Sequence, residues 1–172
     1  MKDNLVLIGM MGCGKSTVGG LLAEHLHMAF VDTDQRIEQA AGCTILELFD
    51  RQGEDVFRNW EKQISEELAE KRGLVIACGG GLPMRADCIT PLRRSGTVVF
   101  LDRDGADIYD HVDMENRPLG QVSRKEFLDR WQKRLPVYQD CADYRVVSRA
   151  TPEETARDVL NALNGEKSPC GS

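Results

Sequence analysis

The residues from Gly9 to Ser16 have the types and spacing that most clearly indicate chemistry. They read GMMGCGKS, which satisfies the pattern G-x-x-x-x-G-K-[ST], and they directly follow a short apolar run. Gly12 and Gly14 allow the backbone to aim successive N–H groups at phosphate oxygens, and a helix starting near Lys15 would add its positive dipole end. Lys15 would reach the β- and γ-phosphates, and Ser16 would ligate Mg²⁺. The alternative is a glycine-rich turn with a surface lysine, but the full pattern in this context indicates a loop that holds a nucleoside triphosphate.

A pair of carboxylates follows the second apolar run, in the stretch Val31-Asp32-Thr33-Asp34. On an extended chain, residues two apart point to the same side, and the carboxyl end of a parallel strand faces the ligand crevice. One carboxylate would then serve Mg²⁺, and the other would serve an acceptor hydroxyl that must lose its proton. The alternative for this stretch is a solvated turn or a helix N-cap.

Three consecutive glycines, Gly79 to Gly81, also follow an apolar run, where a small ligand could contact backbone N–H groups. A flexible turn is the alternative.

Arg58 lies in the stretch FRNWE, and Glu61 three residues later could pair with it on one helix face. Arg134 lies on a later helix, where a lone arginine is usually a solvated surface charge. The arginines are therefore informative only as part of the whole pattern.

The elements that must position these residues follow from the hydropathy pattern. Short apolar runs alternate with longer amphipathic segments, which predicts βαβ units and a parallel sheet. Capping-box patterns at Thr44, Ser123 and Thr151 predict helix starts, and Gly165 is expected to end the last helix. Strands are predicted at Leu5–Ile8, Ala29–Val31, Leu74–Ala77, Thr97–Leu101 and Arg145–Val147.

Two segments fall outside this alternation. Residues 113–122 read DMENRPLGQV, and their charges, Pro118 and Gly120 predict a mobile loop or lid. Residues 166–172 are polar and predict a flexible tail. Residues 1–165 are expected to form one domain, since a chain of 172 residues with 41% hydrophobic content suits a single core.

Composition excludes several classes of partner. The chain has 22 Lys and Arg against 28 Asp and Glu, and its net charge of −6 disfavours nucleic acid as a partner. The few apolar residues before Gly9 are too short for a signal peptide or a membrane span. The six cysteines show no CxxC pair and no Cys/His metal spacing, which indicates reduced thiols. We therefore expect a cytoplasmic protein.

Cys13 is a separate question, because it lies inside the phosphate loop. Its neighbour Lys15 and the nearby helix N-terminus both favour the thiolate. This cysteine would then be alkylated before the other five, and bound Mg-ATP would protect it from alkylation. The alternative is a small side chain turned away from the ligand. Exposure decides between the two, and the sequence does not reveal it.

Taken together, the motifs resemble those of the shikimate kinase family. GMMGCGKST, VDTD, FRNWE, the triple glycine, RPL at residues 117–119 and RLPVY at residues 134–138 occur in that family's order and approximate spacing. The resemblance runs from Leu5 to about Val147. It implies an α/β fold with a five-stranded parallel sheet flanked by helices, a P-loop kinase architecture with a lid. It also implies that ATP phosphorylates the 3-hydroxyl of shikimate, a step of chorismate and aromatic amino-acid biosynthesis.

The resemblance also implies a role for each matching residue. Asp34 would bind the acceptor hydroxyls and take the proton, Asp32 with Ser16 would hold Mg²⁺, and Arg117 would swing onto the phosphates with the lid. The catalytic residues would be Asp34, Lys15 and Arg117. ATP would be bound by Gly12, Cys13, Gly14, Lys15, Ser16, Thr17 and Arg117, and shikimate by Asp34, Arg58, Gly79, Gly80, Gly81 and Arg134. We expect a monomer whose partners are these two small molecules, without nucleic acid or a membrane.

The chain departs from the family pattern on the side of the nucleotide base. The family usually carries an arginine over the adenine ring where this chain has Asp110. Tyr109 or His111 could replace it, although His111 reads as a surface histidine. The loop at residues 148–152, which frames the base in the family, also lacks its usual aspartate.

Two other functions are compatible with parts of this pattern. A gluconate kinase of the same architecture would also take a hydroxylated carboxylate, but the Asp32 and Asp34 pair with the triple glycine favours shikimate. A GTP-dependent switch is suggested by the D-x-x-G element from Asp102 to Gly105. The chain contains no [NT]-K-x-D motif to read guanine, which disfavours the switch.

Overall fold

The central feature of the computed structural model, which describes residues 2–111 and 122–165, is a five-stranded sheet in the order β2-β3-β1-β4-β5. Every adjacent pair of strands is parallel. The strands are β1 (Asn4–Ile8), β2 (Ala29–Asp32), β3 (Leu74–Ala77), β4 (Gly96–Asp102) and β5 (Tyr144–Val147). The five strands predicted from the apolar runs are confirmed, and the fold class with them.

Helices connect the strands and flank the sheet. The three predicted capping boxes, at Thr44, Ser123 and Thr151, are all present. The last helix ends at Leu163, just before Gly165, whose φ is +75°. No helix in the described ranges is long and apolar enough to cross a bilayer. The helices are α1 (Lys15–Leu26), α2 (Thr33–Ala41), α3 (Ile45–Gln52), α4 (Glu54–Ala69), α5 (Ala86–Ser95), α6 (Gly105–His111), α7 (Arg124–Cys141) and α8 (Pro152–Leu163), with a 3-10 turn at Leu82–Met84.

The core lies on both faces of the central strands. Strands β1 and β3 are buried along their whole length and β4 nearly so, whereas the edge strands β2 and β5 are more exposed. Helices cover both faces of a parallel sheet, which is why its strands read as continuous apolar runs. Helix α1 packs closely on β2, because a Cβ at Gly19 would lie 2.5 Å from the ring of Phe30.

The strand order determines where the site forms. Strand β3 lies between β1 and β2, with Leu7 opposite Ala77 and Ala77 in register with Asp32. The carboxyl ends of these three strands are therefore neighbours at one edge of the sheet. The phosphate loop, the triple glycine and the Asp32 segment all leave the sheet there, which is the usual place for a ligand in an open parallel sheet.

Candidate active site

The phosphate loop joins β1 to α1 and is closed by its own backbone. Gly12 and Gly14 have φ angles of +80° and +95°, in the left-handed region that favours glycine. The N–H of Cys13 donates to the carbonyl of Met10 at 3.1 Å. Helix α1 begins at Lys15, and Gly14 has no side chain to cap it. Its first N–H groups are therefore left for another acceptor, as phosphate binding requires.

Lys15 is only 9% exposed and folds back over the loop. Its Nζ donates to the carbonyl oxygens of Gly9 at 2.8 Å and Met10 at 2.9 Å. The ammonium charge is thus held inside the loop, where the phosphates of a nucleotide would lie. Thr17, two residues later in α1, is exposed and lines the cavity beside the loop.

Asp32 connects the phosphate loop to α2, but the Asp32 to Asp34 segment is not extended as predicted. Helix α2 begins at Thr33, and Asp32 is its N-cap, with Oδ1 accepting from the N–H groups of Asp34 at 2.9 Å and Gln35 at 3.2 Å. The expectation that Asp32 and Asp34 point to the same side of an extended chain is wrong. The N-cap alternative is confirmed, because the carboxylate of Asp32 satisfies N–H groups that a helix start leaves without partners. Its Oδ2 accepts from Ser16 Oγ at 2.6 Å, so the two residues assigned to Mg²⁺ are in contact.

Asp34 lies in the first turn of α2 and faces the triple glycine. A Cβ at Gly79 would lie 2.6 Å from Asp34 Oδ1, so a glycine is needed for the carboxylate to occupy this position. The neighbouring Thr33 is fully buried, and its Oγ1 accepts the N–H of Gly79 at 2.9 Å. The turn after β3 is therefore packed against the carboxylate that the sequence assigned to the acceptor.

Arg58 projects from α4, and two glutamates orient its guanidinium. Nη1 donates to Glu61 at 2.6 Å and Nη2 donates to Glu54 at 3.2 Å. The predicted pairing with Glu61 is confirmed. Burial raises the pKa of Glu61, while the nearby charges of Arg58, Arg85 and Arg134 act in the opposite direction. The glutamate holds the planar arginine in one orientation, which favours recognition of a planar anion.

Arg134 is 8% exposed and is therefore not a solvated helical arginine. A Cβ at Gly80 would lie 3.3 Å from its Nη1, and a Cβ at Gly81 would lie 2.9 Å from Nη1 of Arg58. Its Nη1 also lies 4.0 Å from Sδ of Met10, in the phosphate loop. The two arginines thus meet over the same turn, although 76 residues of sequence separate them.

These groups line one cavity of about 670 Å³. Every predicted site residue in the described ranges lines it except Cys13. The phosphate loop and the glycine turn are in contact there, since a Cβ at Gly80 would lie 3.1 Å from the backbone N of Met11. Helix α3 closes one side with Leu46 and Phe49. A triphosphate on the loop and an anion on the arginines would therefore share one chamber.

Cys13 has its side chain in the core rather than in the cavity. It is 3% exposed, and its Sγ would lie 2.9 Å from a Cβ at Gly9. Lys15 Nζ is 3.6 Å from the sulfur. Burial favours the structural alternative for this thiol, and what Cys13 offers to a nucleotide is its place in the backbone of the loop.

Comparison with known proteins agrees with this geometry. The family model described as shikimate kinase matches residues 11–164. The chain belongs to the shikimate kinase family. It is 36% identical over 163 residues to the shikimate kinase of Clostridium botulinum, a match that covers 95% of this chain and 98% of that one. It is 38% identical over 166 residues to shikimate kinase 1 of Salmonella newport, with 94% of each chain covered.

Solved shikimate kinase structures share the fold over most of the chain. The shikimate kinase of Acinetobacter baumannii in complex with shikimate is 34% identical, with a TM-score of 0.89 over 95% of this chain and 93% of that one. A gluconokinase from Sinorhizobium meliloti is 21% identical, with a TM-score of 0.59 over 95% and 93% of the two chains, which shows a shared fold alone.

Family membership decides against both rival functions. The gluconokinase likeness is one of architecture. The D-x-x-G element suggested for a GTP switch begins at Asp102, which is 8% exposed and accepts from Nε of Arg145 at 2.7 Å. This pair ties the end of β4 to β5, so the aspartate has a structural partner in the sheet.

The departure of this shikimate kinase family member at Asp110 has a structural consequence. Asp110 accepts from Nε and Nη2 of Arg124 at 3.2 and 3.4 Å, which joins the end of α6 to the start of α7. Tyr109 packs on Phe127 with ring centroids 5.5 Å apart, and its hydroxyl donates to the carbonyl of Val122 at 3.1 Å. Tyr109 is therefore engaged in packing α6 on α7, which disfavours it as the replacement for the adenine-stacking arginine.

The remaining predicted residues and segments lie at or beyond the limits of the described ranges. His111 is a surface side chain, 67% exposed, with Nδ1 3.0 Å from Oδ1 of Asp107. Arg117 and the predicted lid, apart from Val122, lie outside the described residues. The predicted tail at residues 166–172 lies outside them as well.

Sequence reasoning missed three residues of the site. Met10 was treated as a spacer in the phosphate loop, and Thr33 as a spacer between two aspartates. Tyr138 was noted only as part of the motif RLPVY. Its spacing could have identified it, because residues four apart lie on the same face of a helix and Arg134 lies four residues before Tyr138 on α7. The structure confirms this placement, since Tyr138 Oη and Arg134 Nη1 both approach Met10 Sδ, at 3.9 and 4.0 Å.

Proposed function

We propose that this chain transfers the γ-phosphoryl group of ATP to the 3-hydroxyl of shikimate, forming shikimate 3-phosphate and ADP. Its family makes it a kinase that acts on shikimate. The observation that carries the finer assignment is the contact between the phosphate loop and the glycine turn, at Met11 and Gly80. A donor on one and an acceptor on the other would be neighbours, as direct phosphoryl transfer requires.

The donor side uses the loop from Gly12 to Thr17. Backbone N–H groups of the loop and of the first turn of α1 would bind phosphate oxygens. Lys15 Nζ would exchange the carbonyl oxygens of Gly9 and Met10 for the β- and γ-phosphates. The exchange gives the ammonium negatively charged partners, which stabilises the charge that develops during transfer.

Ser16 and Asp32 would hold Mg²⁺, and their donor set fits that ion. The two side-chain oxygens are 2.6 Å apart and line the cavity beside the loop. Mg²⁺ prefers oxygen ligands and keeps several waters, so two protein oxygens with phosphate oxygens suffice. Held there, the ion would supply positive charge that neutralises the charge of the phosphates. Asp32 can offer Oδ2 for this purpose while Oδ1 continues to cap α2.

The acceptor side uses Arg58 and Arg134 to bind the carboxylate of shikimate. Planar guanidinium groups recognise a carboxylate with two parallel hydrogen bonds, which lysine cannot reproduce. Glu61, 1% exposed, holds Arg58 in place. The turn at Gly79–Gly81 would add backbone N–H contacts beside the two arginines, except from Gly79, whose N–H is bonded to Thr33.

Two further groups would act on the transferring phosphoryl group and the attacking hydroxyl. Asp34 would take the proton of the 3-hydroxyl, since it lies in the cavity beside the glycine turn. Arg117 would neutralise phosphate charge from the lid, an assignment that rests on the sequence resemblance. Phosphoryl transfer needs little covalent help, so positioning and charge supply most of the rate.

A coupled ADP-release assay tests this proposal. The purified protein is supplied with ATP, Mg²⁺ and one of shikimate, quinate or gluconate. We expect turnover with shikimate, a phosphate on its 3-hydroxyl by phosphorus NMR, and loss of activity on chelation of Mg²⁺. Faster turnover of gluconate, or activity that survives chelation, would contradict the proposal.

We propose that residues 1–165 act as one domain with the tail at 166–172, in the cytoplasm and as a monomer. The five described cysteines are free thiols, which suits a reducing compartment. Light scattering during size-exclusion chromatography, with and without substrates, is expected to report the mass of a single chain.

A further inference from the structure

We propose that Tyr138 and Thr33 are positioning residues, whose hydroxyls hold the glycine turn at Gly79–Gly81 in the orientation that binds the acceptor. The inference rests on the acceptor site proposed above and goes beyond it, because neither hydroxyl is needed to contact the substrate. Both reach the turn from the side of the protein core, one from α7 and one from α2.

Tyr138 is positioned by the core and bonded to the turn. It is fully buried, and its ring stacks on Phe100 with centroids 5.3 Å apart. Its Oη donates to the carbonyl oxygen of Gly80 at 2.6 Å. Burial raises the pKa of the phenol, so the group remains protonated and able to donate at physiological pH.

The bond to Gly80 determines where the next N–H points. The peptide between Gly80 and Gly81 is trans, and in a trans peptide the C=O and N–H groups point in opposite directions. Because the carbonyl of Gly80 is directed at Tyr138, the N–H of Gly81 is directed away from it. A Cβ at Gly81 would meet Nη1 of Arg58 at 2.9 Å and Nη2 of Arg134 at 3.4 Å, so this residue borders the carboxylate site.

Thr33 holds the other end of the turn. Its Oγ1 accepts the N–H of Gly79 at 2.9 Å, and the side chain is fully buried. Backbone N–H groups of Leu82 and Met84 already hold the carbonyls of Gly79 and Gly81, at 3.1 and 3.2 Å. The two hydroxyls hold the remaining groups, the N–H of Gly79 and the carbonyl of Gly80, in glycine peptides that have a wide choice of conformation. Two hydroxyl anchors restrict the turn before the substrate arrives, which lowers the entropy cost of binding.

Tyr138→Phe is the sharpest test, because it removes the hydroxyl and keeps the ring that packs on Phe100. We expect the KM for shikimate to rise about five- to tenfold, the worth of one hydrogen bond, with the KM for ATP within about twofold of wild type. Tyr144→Phe is the matched control, the same chemical change at a residue 39% exposed on β5, and should leave both constants unchanged.

The two KM values of Tyr138→Phe separate a positioning role from a purely structural one. An unchanged KM for shikimate overturns the inference even if the melting temperature falls, because a purely structural tyrosine would give that result. An equal rise in both KM values also overturns it, since that indicates general loosening of the site. If Tyr138→Phe does not fold, Thr33→Val tests the other anchor, and a KM for shikimate equal to wild type overturns the inference. Failure of the wild-type protein to phosphorylate shikimate would instead contradict the proposed function.

Discussion

Asp34 is the side chain whose loss should be most specific to the chemical step. Asp34→Asn keeps the shape of the side chain beside Gly79 and removes the base. We expect kcat to fall by about 10²- to 10⁴-fold, the usual contribution of general base catalysis, while ATP affinity changes little because the phosphate loop is intact. Stopped-flow turnover and calorimetric titration of ATP measure the two effects separately. Near-normal kcat would show that another group takes the proton.

Arg58 and Arg134 should depend on their planar geometry as well as on their charge. Replacing either with lysine keeps the charge but removes the fork that binds a carboxylate with two bonds. We expect each substitution to raise the KM for shikimate about 10- to 100-fold, the worth of a hydrogen bond to a charged group. Arg51→Lys, on the exposed side of α3 with 70% of its side chain exposed, is the matched control. Unchanged KM values in both variants would place the carboxylate elsewhere.

Cys13 should react slowly in the folded protein despite its place beside Lys15. It is 3% exposed, whereas Cys43 is partly exposed. Limited alkylation followed by peptide mapping is expected to label Cys43 before Cys13, with Mg-ATP making little difference to Cys13. First labelling of Cys13 in the apo protein, with protection by Mg-ATP, would restore the reactive-thiolate interpretation.

The turn after β3 packs closely against its neighbours because its three glycines have no side chains. A Cβ at Gly79 would meet Asp34 Oδ1 at 2.6 Å, so Gly79→Ala must push the carboxylate away from its place. We expect kcat to fall by about tenfold or more, since small displacements of a catalytic group are costly. Gly20→Ala, inside α1 where an added Cβ meets nothing within 4 Å, serves as the control. It should retain full activity and stabilise the helix by about 0.5–1 kcal/mol.

The whole molecule should lose stability in acid. Five carboxyl groups at or near the surface have a lowered pKa because hydrogen bonds favour their charged form, at Glu47, Glu67, Asp87, Asp107 and Glu126. These groups hold protons less tightly when folded than when unfolded, so their stabilisation is present above the ordinary values of 4.5 for Glu and 3.8 for Asp. It is lost as the pH falls through the lowered values.

Buried Glu61 contributes with the opposite sign, because burial raises its pKa and its ionisation costs stability as the pH rises past 4.5. Glu61 offsets part of the loss from the five carboxyl groups, and we expect the melting temperature to fall from about pH 5 to pH 3. Glu47→Gln preserves an acceptor for the capping box at Thr44 and removes one titrating group, so its melting temperature should fall less. A melting temperature independent of pH over this range would contradict the prediction.

The sequence by itself determined the elements and the nucleotide loop. Local physics specifies both: apolar runs mark buried parallel strands, Ser and Thr followed by Glu mark helix starts, and glycines 12 and 14 have the positive φ angles that their loop requires. The family was also readable from the sequence, because the order of its motifs is a property of the chain. The strands, to within one residue at each end, and the three capping boxes needed no tertiary information.

Only the tertiary structure decided how the motifs meet. The order β2-β3-β1 brings Asp34, Gly79 and the phosphate loop together, and this order depends on packing over the whole sheet. Spacing on a strand misled the reading of Asp32, because an N-cap satisfies helix N–H groups and ends the strand there. The burial of Cys13 and the bond from Tyr138 to Gly80 likewise depend on neighbours far away in sequence, which the local pattern cannot encode.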